Sequence, residues 1–310
     1  MDKCRRSNAA VIKASLSQFI DKLNQISYLR SMSVIAHRRI PAKLLLFGEY
    51  TIIHGGSALA IPYEGYGGHW HKTGETSELD GFYAHLSSLP GAKVDQLHQA
   101  QKDGWAFRSD IPRGYGLGSS GALSAAAYDS FFEQEEKLDL AILSHRLAEI
   151  ESYFHGKSSG LDPLVCFLAK PVLVKKGEIT TITLPTLPPQ LQLYDCGLPR
   201  KGKHLIKYYL DRREVDPSFE EVTLALGKFN ERIISELIAE ENVAHSYKEI
   251  SRIQYEHFQH MIPETVHSLW HEGLTSDSYY MKICGAGGGG CFMVYEHQEG
   301  AFTENKRSLA

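Results

Sequence analysis

The sequence predicts an α+β protein with two domains, and three features carry this prediction. The chain has 310 residues, which is long for one ordinary domain of roughly 100–200 residues. Short apolar runs typical of buried strands alternate with stretches in which apolar residues recur at helical spacing. The segment 185–189 is rich in proline, and consecutive prolines continue neither a helix nor a strand ladder. We therefore expect an N-terminal domain at residues 40–185 and a C-terminal domain at residues 190–310.

The first half of the chain mixes strand and helix signals. Apolar runs at 44–47 and 58–61 are typical of buried strands, and the glycines at 65–68 predict a turn after the second run. Residues 122–155 carry apolar side chains at spacings of three and four, which predicts two successive helices. Further strands are predicted at 172–174 and 179–184.

The second half continues this mixture. A strand is predicted at 191–194, helices over 203–272, and two strands at 280–284 and 291–295 that flank a glycine-rich loop. In the first half, His69 and His71 are two residues apart in one predicted strand, which places them on the same face. Two histidines are too few for a metal site, so a partly exposed strand is the better interpretation.

Residues 1–39 are predicted to form a separate helical extension. Residues 8–30 place apolar side chains at the spacing of an amphipathic helix, and Arg5 and Arg6 precede them. Three interpretations stay open for this segment: an organellar transit peptide, a helix that docks on the body of the protein, or sequence upstream of a start at Met32.

Composition narrows the classes of function. Hydrophobic residues make up 43% and charged residues 23% of the chain, which is typical of a globular protein with a sizeable core. The formal charge of −4 gives no basic field that would attract nucleic acid or an anionic membrane. No apolar stretch approaches the ~20 residues that cross a bilayer, and the five cysteines form no CxxC pair. We expect a cytoplasmic protein whose partners are small molecules.

The segment 112–122, PRGYGLGSSGA, has the composition of a phosphate-binding loop. Glycines let backbone N–H groups approach an anion, and the helix predicted behind them directs its positive end toward it. The hydroxyls of Ser119 and Ser120 suit an N-cap and a metal ligand. The GK[ST] ending of the Walker loop is absent, and a glycine-rich turn that only caps a helix is the alternative.

Two acids frame the segment 151–163, ESYFHGKSSGLDP. A helix that ends near His155 places Glu151 in its last turn, and the following loop returns Asp162 to the same pocket. This arrangement favours one metal ligand and one general base. The alternative is a helix end followed by a polar loop with solvated acids.

Four consecutive glycines at 287–290 lie between two predicted strands, in the segment KICGAGGGGC at 282–291. Ordering glycine costs conformational entropy. Such a run is therefore expected where the backbone passes close to a ligand or to another loop. A flexible hairpin tip is the alternative.

These three segments, together with PAKLLLFGEYTIIHGG at 41–56, resemble the GHMP kinase superfamily in the order of its motifs. The resemblance covers about residues 40–297 and is strongest to the mevalonate kinase branch, whose ExxxHGxxSGxD pattern is similar to ESYFHGKSSGLD. The segment LQLYDCGLPRKGKHL at 191–205 resembles the strand and PR turn of that branch. The resemblance implies a ribosomal protein S5 domain 2-like N-terminal domain, a ferredoxin-like C-terminal domain and an active site in the cleft between them.

The resemblance further implies phosphoryl transfer from ATP to a primary alcohol. Asp162 corresponds to the catalytic aspartate that accepts the hydroxyl proton, and Lys43 corresponds to the lysine beside it. Ser120 and Glu151 correspond to the positions that hold Mg²⁺. The positions that correspond to the acceptor pocket are Glu49, His54, Gly287 and Gly288. The positions that correspond to the ATP-binding loop are Gly114, Tyr115, Gly116, Leu117, Gly118, Ser119, Ser120, Gly121 and Ala122.

Several departures from the family pattern bear on the acceptor. Tyr50 stands where mevalonate kinases usually carry His, and the GEY motif is similar to that of phosphomevalonate kinases. Ala42, Gly121 and Gly202 also replace the usual residues. Only 20 residues follow Gly290, so we expect a C-terminal domain shortened at its end. A phosphomevalonate kinase, a sugar or amino-alcohol kinase and a nucleotide-binding protein without turnover stay open as alternatives, as do a monomer and a homodimer.

Overall fold

The structure is a computed structural model. It describes residues 35, 37–73, 79–134, 139–200, 203–304 and 306–309. The helix predicted at 8–30 lies outside the described residues. The predicted boundary at 185–190 falls between the last strand of one sheet and the first strand of a second.

The first sheet is antiparallel and has a long central strand. Its strands are β1 (Ile40–Phe47), β2 (Ala58–Lys72), β3 (Trp105–Ser109), β4 (Val172–Lys175) and β5 (Glu178–Thr181). One side of β2 pairs with β1. The other side pairs with β4 near its start and with β3 near its end, and β5 continues the sheet beyond β4. The length of β2 therefore joins the two parts of the sheet.

The turn predicted at 65–68 is wrong, because these residues lie within β2. The pairing with β1 shifts there: Ala42 lies opposite Tyr63, but Pro41 lies opposite Gly67. The extra residues of β2 form a bulge. Bulges, like turns, often contain glycine. A Cβ atom at Gly68 would lie 2.4 Å from the Phe107 ring of β3, so the strand needs glycine for close packing.

Helices cover one face of this sheet. They are α1 (Asp80–Ser87), α2 (Val94–Lys102), α3 (Ser119–Phe131), α4 (Leu140–His155) and α5 (Leu161–Leu168). Helices α3 and α5 contact β1 and β2 directly. Helix α3 is buried around nearly its whole circumference, since alanines let its neighbours approach closely. The two helices predicted within 122–155 are confirmed as α3 and α4.

The second sheet has the strand order of a ferredoxin-like domain. Its strands are β6 (Leu191–Asp195), β7 (Tyr279–Ile283), β8 (Cys291–Glu296) and β9 (Lys306–Ser308), in the antiparallel order β7-β8-β6-β9. The long connection from β6 to β7 contains α6 (Lys203–Val215), α7 (Pro217–Ile238), α8 (Ala244–His257) and α9 (Glu264–Ser276). The outermost strand is present, whereas residues 297–304 connect β8 to it without a helix. A ferredoxin-like domain carries a helix in that connection.

Among the described residues, no helix is both long enough and apolar enough to span a bilayer.

Candidate active site

The glycine-rich loop at 112–118 is tied to the middle of β1. The backbone N–H of Lys43 donates to the carbonyl of Leu117 at 3.0 Å. Gly114, Gly116 and Gly118 have φ angles of 82°, 79° and 75°, a region that favours glycine. A Cβ atom at Gly118 would lie 2.7 Å from Cγ of Lys43. The loop therefore brings the N-terminus of α3 next to the Lys43 side chain.

Lys43 and Asp162 form an ion pair beside that helix end. Their Nζ and Oδ1 atoms are 2.8 Å apart, and the side chain of Lys43 is 5% exposed while that of Asp162 is 38% exposed. Asp162 lies in the first turn of α5, after Gly160 in the left-handed conformation. The lysine is thus fixed in the interior, and the carboxylate is accessible to a substrate. This is the geometry that an activated hydroxyl acceptor requires.

Glu151 and Ser120 form a hydrogen bond near Asp162. The Ser120 hydroxyl donates to Oε1 of Glu151 at 2.9 Å, and Ser158 donates to Oε2. Burial, together with the nearby charge of Asp162, raises the pKa of the Glu151 carboxyl to about 7. Two neighbouring carboxylates and a hydroxyl are hard oxygen ligands, and a divalent cation there would offset their mutual repulsion. The donor set therefore fits Mg²⁺, which needs only one or two carboxylates when phosphates supply further ligands.

Glu49 lies deep in the contact between the two halves of the molecule. Its Oε1 is 2.6 Å from Nζ of Lys282 on β7, and both side chains are at most 1% exposed. Burial raises the pKa of Glu49 despite the attraction of Lys282. Oε2 has no hydrogen-bond partner among the described residues. Glu49 thus joins the turn after β1 to β7, and its contact with an acceptor stays a prediction.

Tyr50 makes a second contact between the halves. Its hydroxyl donates to the carbonyl of Ala286 at 2.5 Å, and its ring centroid is 4.7 Å from that of Tyr209 on α6. It has a φ of 64°, which is uncommon for a bulky side chain. This strained position is maintained by contacts from both halves.

His54 does not join the Lys43–Asp162 pair. Its Nδ1 is 3.0 Å from Nη1 of Arg213 on α6. Because a guanidinium only donates, Nδ1 accepts and the ring is neutral with its proton on Nε2. Burial and the Arg213 charge lower the pKa of His54, consistent with that state. The cavity that His54 lines includes neither Lys43 nor Asp162.

The four glycines at 287–290 pass close to other loops. The N–H of Gly288 donates to the carbonyl of Met261 at 2.7 Å, and a Cβ atom at Gly287 would lie 2.5 Å from that oxygen. A Cβ atom at Gly290 would lie 2.8 Å from Cα of Tyr115 in the 112–118 loop. The run is therefore a packed junction between the two halves, as the close-approach interpretation expects. Direct contact of Gly287 or Gly288 with an acceptor stays a prediction.

Arg200 is a residue that the sequence motifs did not assign to the site. Its backbone N–H donates to the carbonyl of Gly114 at 2.9 Å. A Cβ atom placed at Gly116 would lie 3.6 Å from Nη1 of Arg200, and one placed at Gly285 would lie 3.0 Å from the same atom. The guanidinium thus extends between the two glycine-rich loops. In the sequence, Arg200 belongs to the PR turn at 199–200 and to a small basic cluster after the proline-rich segment.

The two-domain fold is similar to that of GHMP kinases. Residues 85–170 match the family model of the GHMP kinases N terminal domain. This match and the named relatives support a small-molecule kinase. A mevalonate kinase of Pyrococcus abyssi is 26% identical to this chain over an alignment of 295 residues, and the match covers 81% of this chain and 85% of that protein.

Solved structures agree in fold. The L. major mevalonate kinase in complex with R-mevalonate has a TM-score of 0.61 at 13% identity, covering 86% of this chain and 89% of that one. The Streptococcus pneumoniae phosphomevalonate kinase in complex with phosphomevalonate and AMPPNP has a TM-score of 0.59 at 14% identity, covering 84% and 92%. At these identities the structural likeness establishes the fold alone.

Proposed function

We propose that this protein transfers the γ-phosphoryl group of ATP to the primary hydroxyl of mevalonate, giving 5-phosphomevalonate for isoprenoid synthesis. The observation that carries the proposal is the Lys43–Asp162 pair, 2.8 Å apart beside the N-terminus of α3. A helix end preceded by glycines suits the phosphates of a nucleotide. The exposed carboxylate next to it suits the hydroxyl of an acceptor.

Asp162 and Lys43 have complementary roles in this proposal. Asp162 orients the acceptor hydroxyl toward the γ-phosphorus and accepts its proton. Lys43 faces this carboxylate at 2.8 Å and helps to neutralise the negative charge of the transferring phosphoryl group. The loop residues Gly114–Ala122 hold the phosphates through backbone N–H groups, which glycine at three positions leaves accessible.

Ser120 and Glu151 would hold Mg²⁺. When bound, the ion neutralises charge on the phosphates and aligns them for in-line transfer. Their present hydrogen bond of 2.9 Å keeps the two oxygens together.

We expect Glu151→Gln to raise the Mg²⁺ concentration needed for half-maximal activity by about tenfold or more, because a neutral amide replaces a charged oxygen ligand. A Mg²⁺ titration of the initial rate at saturating ATP measures the effect. Glu149→Gln, two residues earlier in the same helix, is the matched control. Equal Mg²⁺ dependence of the Glu151 variant and the control would contradict the role of Glu151.

The choice of mevalonate rests on the sequence relatives, and one observation favours a second acceptor. The relatives that cover most of this chain are named mevalonate kinases. Tyr50 and Arg200, however, lie close enough for the guanidinium charge to act on the phenol. A cation between the two glycine-rich loops also suits an acceptor that already carries a phosphate. Phosphomevalonate is therefore the second candidate.

The test is an assay of ADP release with purified protein, Mg²⁺ and ATP. Mevalonate, phosphomevalonate, galactose and homoserine are compared side by side, with Asp162→Asn as the inactive control. Selective turnover of mevalonate is expected. Preference for phosphomevalonate would retain the chemistry and change the acceptor, whereas ATP binding without turnover of any acceptor would favour a nucleotide-binding protein.

The proposal includes a cytoplasmic enzyme whose partners are ATP and a small alcohol, acting as a monomer or a homodimer without nucleic acid or membrane. The formal charge of −4 supports this choice of partners.

A further inference from the structure

The two oxygens of the Glu151 carboxylate are held by hydroxyls from two different segments. Oε1 accepts from Ser120 in the first turn of α3 at 2.9 Å, and Oε2 accepts from Ser158 in the loop after α4 at 2.5 Å. Glu151 is buried, with 4% of the residue exposed. Hydrogen bonds to an ionised group are stronger than those between neutral groups. The two hydroxyls together therefore fix the direction in which each carboxylate oxygen points.

The Ser158 hydroxyl is used in full within the protein. Its Oγ accepts from the backbone N–H of Gly160 at 2.9 Å, while its proton is donated to Oε2 of Glu151. A serine hydroxyl has one proton to donate, and the bond from Gly160 directs that proton at the carboxylate. Ser158 is therefore suited to orient Glu151, and less suited than Ser120 to bind a cation itself.

The loop that carries Ser158 is packed tightly on α4, the helix of Glu151. Gly160 has a φ of 73°, and a Cβ atom there would lie 2.0 Å from the carbonyl oxygen of Ser144 on α4. The Ser144 hydroxyl also donates to the carbonyl of Ser159 at 3.2 Å. Because the loop is anchored to the same helix, the position of Ser158 relative to Glu151 is well defined.

The same loop leads into the helix turn that carries Asp162. Gly160, whose N–H is bonded by Ser158, directly precedes α5, and Asp162 lies in the first turn of that helix. A Cβ atom at Gly121 on α3 would lie 3.1 Å from Cβ of Asp162, so this turn also abuts the helix of Ser120. Ser158 thus connects Glu151 to the start of α5 through two consecutive hydrogen bonds.

We propose that Ser158 is a positioning residue for the cation: it holds Oε2 of Glu151, so that Oε1 stays directed toward Ser120. This inference rests on the proposed function, because it takes Glu151 and Ser120 as the Mg²⁺ ligands. Ser158 occupies a position that the ExxxHGxxSGxD pattern leaves open, so the motif does not assign it. Loss of a partner that orients a metal ligand typically weakens metal binding by about 10–100-fold.

The test is calorimetric titration of the full chain with AMPPNP, once with saturating Mg²⁺ and once with EDTA. The ratio of the two Kd values measures how much the cation strengthens nucleotide binding. We expect this ratio to be about fivefold to tenfold smaller in Ser158→Ala than in the wild type. The Kd measured in EDTA should change by no more than about twofold, because the hydroxyl acts on the cation ligand and not on the glycine-rich loop.

Two further variants separate the hydroxyl from the packing of the loop. Ser158→Thr keeps the hydroxyl and should retain the wild-type ratio within about twofold. Ser152→Ala is the matched control: Ser152 lies beside Glu151 on α4, but its hydroxyl donates to the carbonyl of Glu149. Its ratio should equal that of the wild type.

Three results would overturn the proposal. A wild-type ratio in Ser158→Ala would show that Ser158 does not act on the cation, even if the melting temperature falls. An equal loss in Ser158→Thr and Ser158→Ala would assign the effect to loop packing. Wild-type AMPPNP binding that does not respond to Mg²⁺ would overturn the cation site itself, and with it this part of the proposed function. Because the titration needs no turnover, an error in the choice of acceptor would not affect it.

Discussion

Asp162→Asn is expected to lower kcat by about two to four powers of ten. The amide keeps the size of the side chain but accepts no proton from the acceptor hydroxyl. It also removes the charge that Lys43 faces at 2.8 Å. The nucleotide loop is anchored separately, through the backbone bond from Lys43 to Leu117. We therefore expect the Kd for Mg²⁺ and ATP to change by no more than about threefold.

Single-turnover experiments measure the rate of phosphoryl transfer, and nucleotide titrations measure the Kd for Mg²⁺ and ATP. Asp95→Asn is the matched control, because Asp95 is exposed on α2 and far along the chain from the loop. The melting temperature of Asp95→Asn should stay near that of the wild type, whereas that of Asp162→Asn should fall because the buried Lys43 loses its charged partner. Turnover of Asp162→Asn at the wild-type rate would refute the assignment of Asp162 as the base.

The local part of the site was predictable from the sequence. Gly114, Gly116 and Gly118 are required by backbone angles and by the approach of Lys43, and both constraints act within short segments. The helix ending at His155 and the loop to Asp162 were likewise set by neighbouring residues. Patterns over ten or fifteen residues are sufficient where the structure is decided locally.

What the sequence did not predict depends on pairing between distant segments. The turn prediction at 65–68 is wrong because a bulge and a turn select the same residue type, and only the pairing with β1 and β3 distinguishes them. Arg200 and Gly285 are far apart in the chain, so their approach follows from the packing of the two halves. The Glu49–Lys282 pair joins residues 233 positions apart for the same reason.

Lys282→Met is expected to destabilise the protein by about 3–5 kcal/mol, because it leaves the buried Glu49 carboxylate without its partner. Lys282 donates to Glu49 at 2.6 Å and to the carbonyl of Ile283 at 2.8 Å. Lys248→Met is a closely matched control. Lys248 also has a carboxylate, that of Asp277, at 2.6 Å and lies near an aromatic ring, but this pair is exposed to solvent. An exposed ion pair contributes only about 0.2–1 kcal/mol to stability. Denaturant unfolding of the two variants measures the difference between their losses of stability.

The pH dependence of the stability of Lys282→Met tests whether the unpaired Glu49 carboxylate causes the destabilisation. Without Lys282, burial is opposed only by the smaller effect of backbone hydrogen bonds from Glu49 and Gly285, and it holds the folded-state pKa of Glu49 above the unfolded value. A carboxyl group whose pKa is raised by folding destabilises the protein at pH values above its unfolded-state pKa. This destabilisation disappears as the pH falls and the group becomes protonated. The loss of stability in Lys282→Met should therefore be smaller at about pH 5.5 than at about pH 8.

Adding Glu49→Leu to this variant should restore most of the lost stability, since an apolar pair needs no desolvation. A deficit that is independent of pH and unchanged in the double variant would show that Lys282 acts through packing, and not through the charge of Glu49.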